Sequence, residues 1–218
     1  MAKLPDKLPG NPLPTLDAWI KEARDDGVIP NPDAMTLATV GASGAPTARV
    51  VLCKEIVADP GYLVFYTNYE SVKGEDLAAT GKAACVFHWD HMNRQVRVEG
   101  LVVKSPAEES DAYFASRDKE SQIGAWASAQ SQVLQSRQAL MDKHVATARK
   151  LANLQEESGK TEIPRPPFWG GYRIWATALE LWVRGEARLH DRGRWERTLE
   201  PRDEGFETGD WHSKRIQP

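Results

Sequence analysis

Between residues 35 and 103 short apolar runs, some alternating with polar positions, carry the signals of strands. MTLATV (35–40) alternates, GASGAP (41–46) reads as a turn, and TARVVLCK (47–54) resumes the strand pattern. After the Pro60-Gly61 turn come YLVFYT (62–67), AACVFHW (83–89) and RQVRVEGLVV (94–103). In the last run Gln95, Arg97 and Glu99 share one face while Val96 and Val98 share the other. The period then lengthens. SVKGEDLAAT (71–80) is predicted as a short helix with Ser71 as cap and Gly81 as stop. Thr15 is placed to cap a helix over LDAWIKEARDD that stops at Gly27, and Ser105-Pro-Ala-Glu108 reads as a capping box starting a helix to about Arg117. Further helices are predicted around IGAWAS and over roughly 131–156, where Val133, Leu134, Leu140, Met141, Val145, Ala148, Leu151 and Leu154 form one stripe. Strands return at 172–185, 193–201 and 211–218. Short, evenly spaced strands with the helices in one block predict an α+β, mainly β chain built on a barrel. Residues 1–14, rich in Pro, Lys and Gly, are expected to form a mobile arm, and 15–218 a single domain.

Composition narrows the function classes. The chain has 218 residues, 41% of them hydrophobic, enough for a real core. The 28 basic and 31 acidic side chains give a net charge of −3, which offers no electrostatic case for nucleic acid. A local cluster of Arg and Lys could still hold a small anion. No apolar run approaches ~20 residues, so no membrane span is expected, and the N-terminus lacks the apolar stretch of a secretory signal. Cys53 and Cys85 lie outside any CxxC and read as half-buried reduced thiols of a cytoplasmic protein.

Motifs that would announce a known chemistry are absent: no GxGxxG, no GxxxxGK[ST] and no GxSxG. His88-Trp-Asp-His91 falls at a turn between strands and is not read as a metal site. Three constellations remain. Tyr113, Arg117 and Ser121, spaced four and four, would stack on one face of a continuous helix and suit a phosphate, although a solvated helix face has the same spacing. Arg188, His190 and Arg192 would point to one side of a strand, facing anions or simply forming a charged outer face. Tyr66-Thr67, Ser71 and Lys73 mark a strand end and helix start where free N–H groups favour an anion, with Arg49 on an adjacent strand; a plain N-cap is the alternative. Two separate phosphate-ready clusters suggest a phosphorylated cofactor and a phosphorylated substrate.

RVVLCK (49–54), FYTNYESVK (65–73), SQIGAWASAQSQ (121–132), FWGGYR (168–173) and RLHDR (188–192) closely resemble segments of the pyridoxamine 5′-phosphate oxidases, in family order from about Asp33 to Pro218. The resemblance implies an FMN-binding split β-barrel with peripheral helices, a homodimer with FMN at the interface. It implies flavin contacts at Arg49, Val50, Tyr66, Thr67, Lys73, Gln95, Gln130, Ser131, Trp182 and Arg192. Substrate contacts would fall on Lys54, Tyr113, Arg117, Ser121, Arg188 and His190, the last two over the substrate ring and counted as catalytic. The implied reaction oxidises pyridoxamine or pyridoxine 5′-phosphate to pyridoxal 5′-phosphate with O2 as acceptor, releasing H2O2, and NH3 from the amine.

Two features depart from the family pattern. Val72 stands where members commonly carry a second basic residue, and residues 1–14 lack the Arg and Tyr that often reach over the substrate. A sister flavin oxidase acting on a phenazine precursor, and a non-catalytic module binding flavin or pyridoxal phosphate, are the competing readings.

Overall fold

The computed structural model describes residues 3–159 and 161–218. In chain order the strands are β1 (Ala34–Val40), β2 (Pro46–Leu52), β3 (Glu55–Val57), β4 (Tyr62–Asn68), β5 (Lys82–Trp89), β6 (Arg94–Lys104), β7 (Trp169–Val183), β8 (Asp191–Glu196), β9 (Leu199–Arg202), β10 (Gly205–Thr208) and β11 (His212–Arg215). The α-helices are α1 (Leu13–Asp25), α2 (Val72–Thr80), α3 (Ala107–Ser116), α4 (Lys119–Ala127) and α5 (Arg137–Ser158).

One antiparallel sheet runs β11-β8-β7-β6-β5-β1-β2, and β9 and β10 form a separate hairpin. The 15-residue β7 organises the sheet. It pairs with β6 along one edge, while on the other edge its first half pairs with β4 and its second half with β8. The sheet divides at β7 and curls into a split β-barrel, with helices outside it. A bulge at Glu99/Gly100 bends β6. Gly100 is needed there because a Cβ would run into the Trp175 carbonyl. Inward residues of these strands, among them Leu37, Phe87, Val98, Ile174, Leu179 and Trp195, are fully buried, and α1 closes the core with Leu13, Leu16 and Ile20. A second apolar cluster, Phe114, Ile123, Leu151, Ile163 and Trp169, joins α3–α5 to the start of β7.

Several expected boundaries move. α1 starts at Leu13, not after Thr15. Pro12 and Pro14 suit a first turn whose N–H groups need no helical partner, and Asn11 Oδ1 accepts the Leu13 N–H at 3.0 Å. Ser105 does not close a capping box; its hydroxyl donates to Glu109 at 2.8 Å, a carboxylate shared with Arg173. α5 starts at Arg137 with Ser136 as cap, so Val133 and Leu134 precede the helix and are exposed, and only Leu151 of the expected stripe is fully buried. The expected 193–201 strand divides into β8 and β9. Ser71 and Gly81 do bound α2, the latter with φ 61°. Cys53 and Cys85 are free but fully buried, not half-buried.

Residues 3–12, expected as an arm, lie against β8 and β11. The Leu4 N–H donates to Asp191 at 2.9 Å, Trp195 Nε1 to the Pro9 carbonyl at 2.7 Å, and Arg215 to the Pro5 carbonyl at 2.8 Å.

Candidate functional site

The end of β4, the start of α2, the edge strand β2 and the corner between α3 and α4 enclose a cavity of about 650 Å³. Arg49, Val50, Lys54, Tyr66, Thr67, Lys73, Tyr113, Arg117, Gln130 and Ser131 line it, ten of the residues singled out from the sequence, together with Val72 and Trp169.

Its charges are set by the elements around them. Lys73, in the first turn of α2, is buried, and among the described residues its Nζ donates to neutral acceptors alone, Ser71 Oγ at 3.0 Å and Gln130 Oε1 at 3.2 Å. Burial, reinforced by Arg49, lowers its pKa to about 8. Arg49 is held from behind: its guanidinium donates to Thr39 Oγ1 at 2.6 Å and Thr47 Oγ1 at 2.5 Å, and Asp76 lies 3.9 Å away. Desolvation lowers the Arg49 pKa, and Asp76 opposes that shift. Lys54 is already neutralised by Asp33 at 2.9 Å.

The opposite wall is aromatic. Tyr66 stacks on Tyr113 with ring centres 3.8 Å apart, and Trp169 continues the stack 5.6 Å from Tyr66. Burial, and after it Glu109, raises the Tyr66 pKa, so the phenol stays protonated. Arg117 lies 4.8 Å over the Trp169 ring. Its Nη1 is buried with no hydrogen-bond partner among the described residues. Arg117, with a guanidinium nitrogen that lacks an acceptor, and Lys73, an ammonium with no carboxylate on it, line one cavity, which suits an anionic ligand.

Tyr113, Arg117 and Ser121 do not share a helix face. The helix breaks at Arg117, which is extended (φ −74°, ψ 151°), and α4 restarts with Asp118 as cap. Ser121 is turned to that cap: Asp118 accepts its N–H at 2.8 Å, and its hydroxyl also serves Asp118, lowering the carboxylate's pKa. Ser121 is therefore not in the cavity wall. Arg117, at the break, stands in the cavity wall with Tyr113.

Gln95, Trp182, Arg188, His190 and Arg192 are also absent from this cavity. They gather at the far end of the sheet, where Gln95 on β6 faces Trp182 on β7 and Trp182 faces Arg192 on β8. The expected strand alternation over 188–192 is not found. β8 begins at Asp191, and Ala187 and Arg188 before it have φ of 50° and 63°. Arg192 pairs with the buried Glu180 at 2.8 Å. His190 packs on Trp182, ring centres 4.6 Å apart, and lines a second cavity with Arg184, Gly185 and Arg215.

Sequence reasoning gave no role to Trp169 or to the Thr39/Thr47/Asp76 bracket behind Arg49. Trp169 stood inside the FWGGYR motif, but nothing in its spacing marks it as a cavity wall. The bracket joins residues 37 positions apart, visible only once β1 and α2 meet.

Comparison with known proteins decides the lineage. Residues 21–152 match the profile described as pyridoxamine 5′-phosphate oxidase, and residues 169–218 that of the pyridoxine 5′-phosphate oxidase C-terminal dimerisation region. The chain belongs to the pyridoxamine 5′-phosphate oxidase family. It is 46% identical to the pyridoxine/pyridoxamine 5′-phosphate oxidase of Paraburkholderia phytofirmans over 208 residues, 95% of this chain and 89% of that one. The enzyme of the same name from Roseobacter denitrificans is 44% identical, with 95% and 94% covered. Among solved structures, PhzG from Burkholderia lata, in complex with tetrahydrophenazine-1-carboxylic acid, superposes with a TM-score of 0.82 at 29% identity, covering 98% of this chain and 95% of that one. An FMN-binding protein of Nostoc punctiforme shares the fold at a TM-score of 0.68 and 16% identity, covering 95% and 97%.

Proposed function

We propose that this chain is an FMN-dependent oxidase that converts pyridoxamine or pyridoxine 5′-phosphate to pyridoxal 5′-phosphate, with O2 as the final acceptor and H2O2 as product, plus NH3 from the amine. The observation that carries the reading is the pairing of uncompensated Lys73 with the unpartnered Arg117 Nη1 in one aromatic-walled cavity. Relatives about 45% identical across the chain bear the corresponding name.

Lys73 and Arg49 would hold the FMN phosphate, and Thr67, Gln130 and Ser131 the polar parts next to it. Bound FMN supplies the two-electron acceptor and its reoxidation by O2. Arg117 and Lys54 would hold the substrate phosphate, with the Tyr113 hydroxyl as a further donor. That anchoring restricts the substrate to one pose and converts binding energy into orientation. The aromatic stack excludes water on that side. Gln95, Trp182, Arg188, His190 and Arg192 stand outside the cavity in one copy. The match of 169–218 to a dimerisation region supports a homodimer in which a second copy brings these residues to the cavity and FMN lies between the subunits. Among the described residues no helix is long and apolar enough to cross a membrane, and both cysteines are unpaired; the reading takes the enzyme to act in the cytoplasm.

The test is a visible spectrum of the purified, FMN-loaded protein on adding pyridoxamine 5′-phosphate, first without oxygen and then with it. Bleaching, recolouring and formation of pyridoxal 5′-phosphate and peroxide are expected. A flavin that stays oxidised would sink the reading. The likeness to PhzG favours a second one, oxidation of a reduced phenazine precursor. Turnover of such a compound but not of the B6 phosphates would select it.

A further inference from the structure

The segment between β7 and β8 carries both residues read as catalytic. It is held by bonds across itself: Leu189 N–H to the Glu186 carbonyl at 2.8 Å and His190 N–H to the Arg188 carbonyl at 2.9 Å. These close around two successive non-glycine residues in the left-handed region, Ala187 and Arg188, a conformation that persists only where its surroundings over-determine it. A third bond reaches a side chain. The Gly185 N–H donates to His190 Nδ1 at 3.2 Å. Gly185 is itself extended (φ −111°, ψ 160°), so its glycine is explained by crowding and not by φ. A Cβ there would run into the Leu189 carbonyl, a backbone atom that cannot swing aside.

The imidazole is thus fixed twice, by the Trp182 indole against one face and by an amide at one nitrogen. An amide N–H offers no lone pair, so Nδ1 must be the acceptor and the proton of the neutral ring sits on Nε2. We propose that the Gly185 amide is a positioning group that sets the tautomer of His190, so that His190 meets its ligand as a hydrogen-bond donor through Nε2 and not as a base. The ligand atom it faces is then an acceptor, an oxyanion or carbonyl-type oxygen. A proton leaving the oxidised substrate is not taken up by Nε2, which is already protonated. The choice of substrate rests on the proposed function; the tautomer does not.

Two measurements test this separately. In 15N-histidine NMR of the FMN-loaded protein, with His190 assigned by the signals lost in His190→Gln, Nδ1 is expected to resonate as a bare nitrogen and Nε2 as a protonated one. A proton on Nδ1 would overturn the proposal, whether or not the protein oxidises B6 phosphates. Second, a Gln amide nitrogen reaches the place of Nε2 and an Asn amide nitrogen that of Nδ1. His190→Gln is expected to keep kcat within about tenfold of the parent, and His190→Asn to lose about a hundredfold, the scale of a misplaced reacting group. Asn equal to or better than Gln would refute the donor role. Gly185→Ala is expected to lower kcat more than it changes KM and to erase the bare Nδ1 signal; an unaltered signal would show that the amide does not set the tautomer. Absence of B6-phosphate oxidation in every protein would remove the proposed function and leave the NMR result standing.

Discussion

Lys73 is a cation among neutral acceptors, and its cost and its use have the same origin. Burial disfavours its charged form, so its pKa in the fold lies near 8, below the 10.5 of an unperturbed lysine. Between those values the unfolded chain holds the extra proton, so the ligand-free protein gains stability from this group as pH rises and carries the penalty below about 8. An anion that binds the charged form shows the opposite trend. FMN affinity, followed by quenching of flavin fluorescence, is expected to fall as pH rises through about 8. Lys73→Met should raise the calorimetric midpoint of the ligand-free protein and weaken FMN binding about 10- to 100-fold, the worth of a charge-assisted hydrogen bond. Unchanged affinity would remove Lys73 from the phosphate site. Arg117 differs in that its Nη1 has no hydrogen-bond partner among the described residues. Arg117→Ala is expected to raise KM for the B6 phosphate by about 10- to 100-fold with a smaller effect on kcat, measured by initial rates. An unaltered KM would exclude it from the substrate phosphate's grip.

At the scale of elements, the corner between α3 and α4 decides where Arg117 points. Gln122 on α4 holds that corner from inside: its Nε2 donates to the carbonyls of Phe114 at 2.9 Å, Ala115 at 3.3 Å and Arg117 at 3.2 Å. Gln122→Leu leaves these carbonyls without their donor and is expected to cost about 1–3 kcal/mol in denaturant unfolding. KM should rise through Arg117 although Gln122 touches no ligand; a loss of stability with KM intact would separate the corner from the site. The same corner shows what was legible in the sequence. Apolar alternation in β1, β5 and β6 reports burial of one face, and burial is what those strands do, so their pattern was readable; β4 is a continuous apolar run buried on both sides. Ser71 and Gly81 bound α2 for reasons contained within a few residues. Ser105 departs from its expected capping box because a side-chain hydroxyl near a helix start has several backbone and carboxylate partners in reach, and tertiary packing selects among them. The 188–192 alternation failed for a related reason: φ at Ala187 and Arg188 is set by bonds across the loop, which no side-chain period encodes. Tyr113 and Arg117 were named from helical spacing, yet they meet only because the helix stops.

For the whole molecule, the residues that the family resemblance joins into one site fall at two separated ends of one sheet. If two copies complete each other's cavities, damage at the two ends can be complemented. Mixed dimers of a Lys73→Met chain with an Arg192→Ala chain contain one intact site and one doubly damaged site. Co-expression of the two damaged chains, assayed at FMN too dilute to load either variant alone, is expected to restore about a quarter of the parental sites, as symmetric pairing at random requires. No recovery in dimers shown to be mixed would mean that each site is built from one chain.

The place of β7 in the chain has a consequence for synthesis. This strand pairs with β4, β6 and β8, yet β4 and β6 both leave the ribosome well before it, β6 ending at Lys104 and β7 starting at Trp169. Until then β4 and β6 stand with unpaired edges, rows of N–H and C=O groups open to any neighbouring strand. The growing chain is therefore vulnerable to aggregation between the synthesis of β6 and that of β7, and a ribosome that stalls there releases a barrel without its stave.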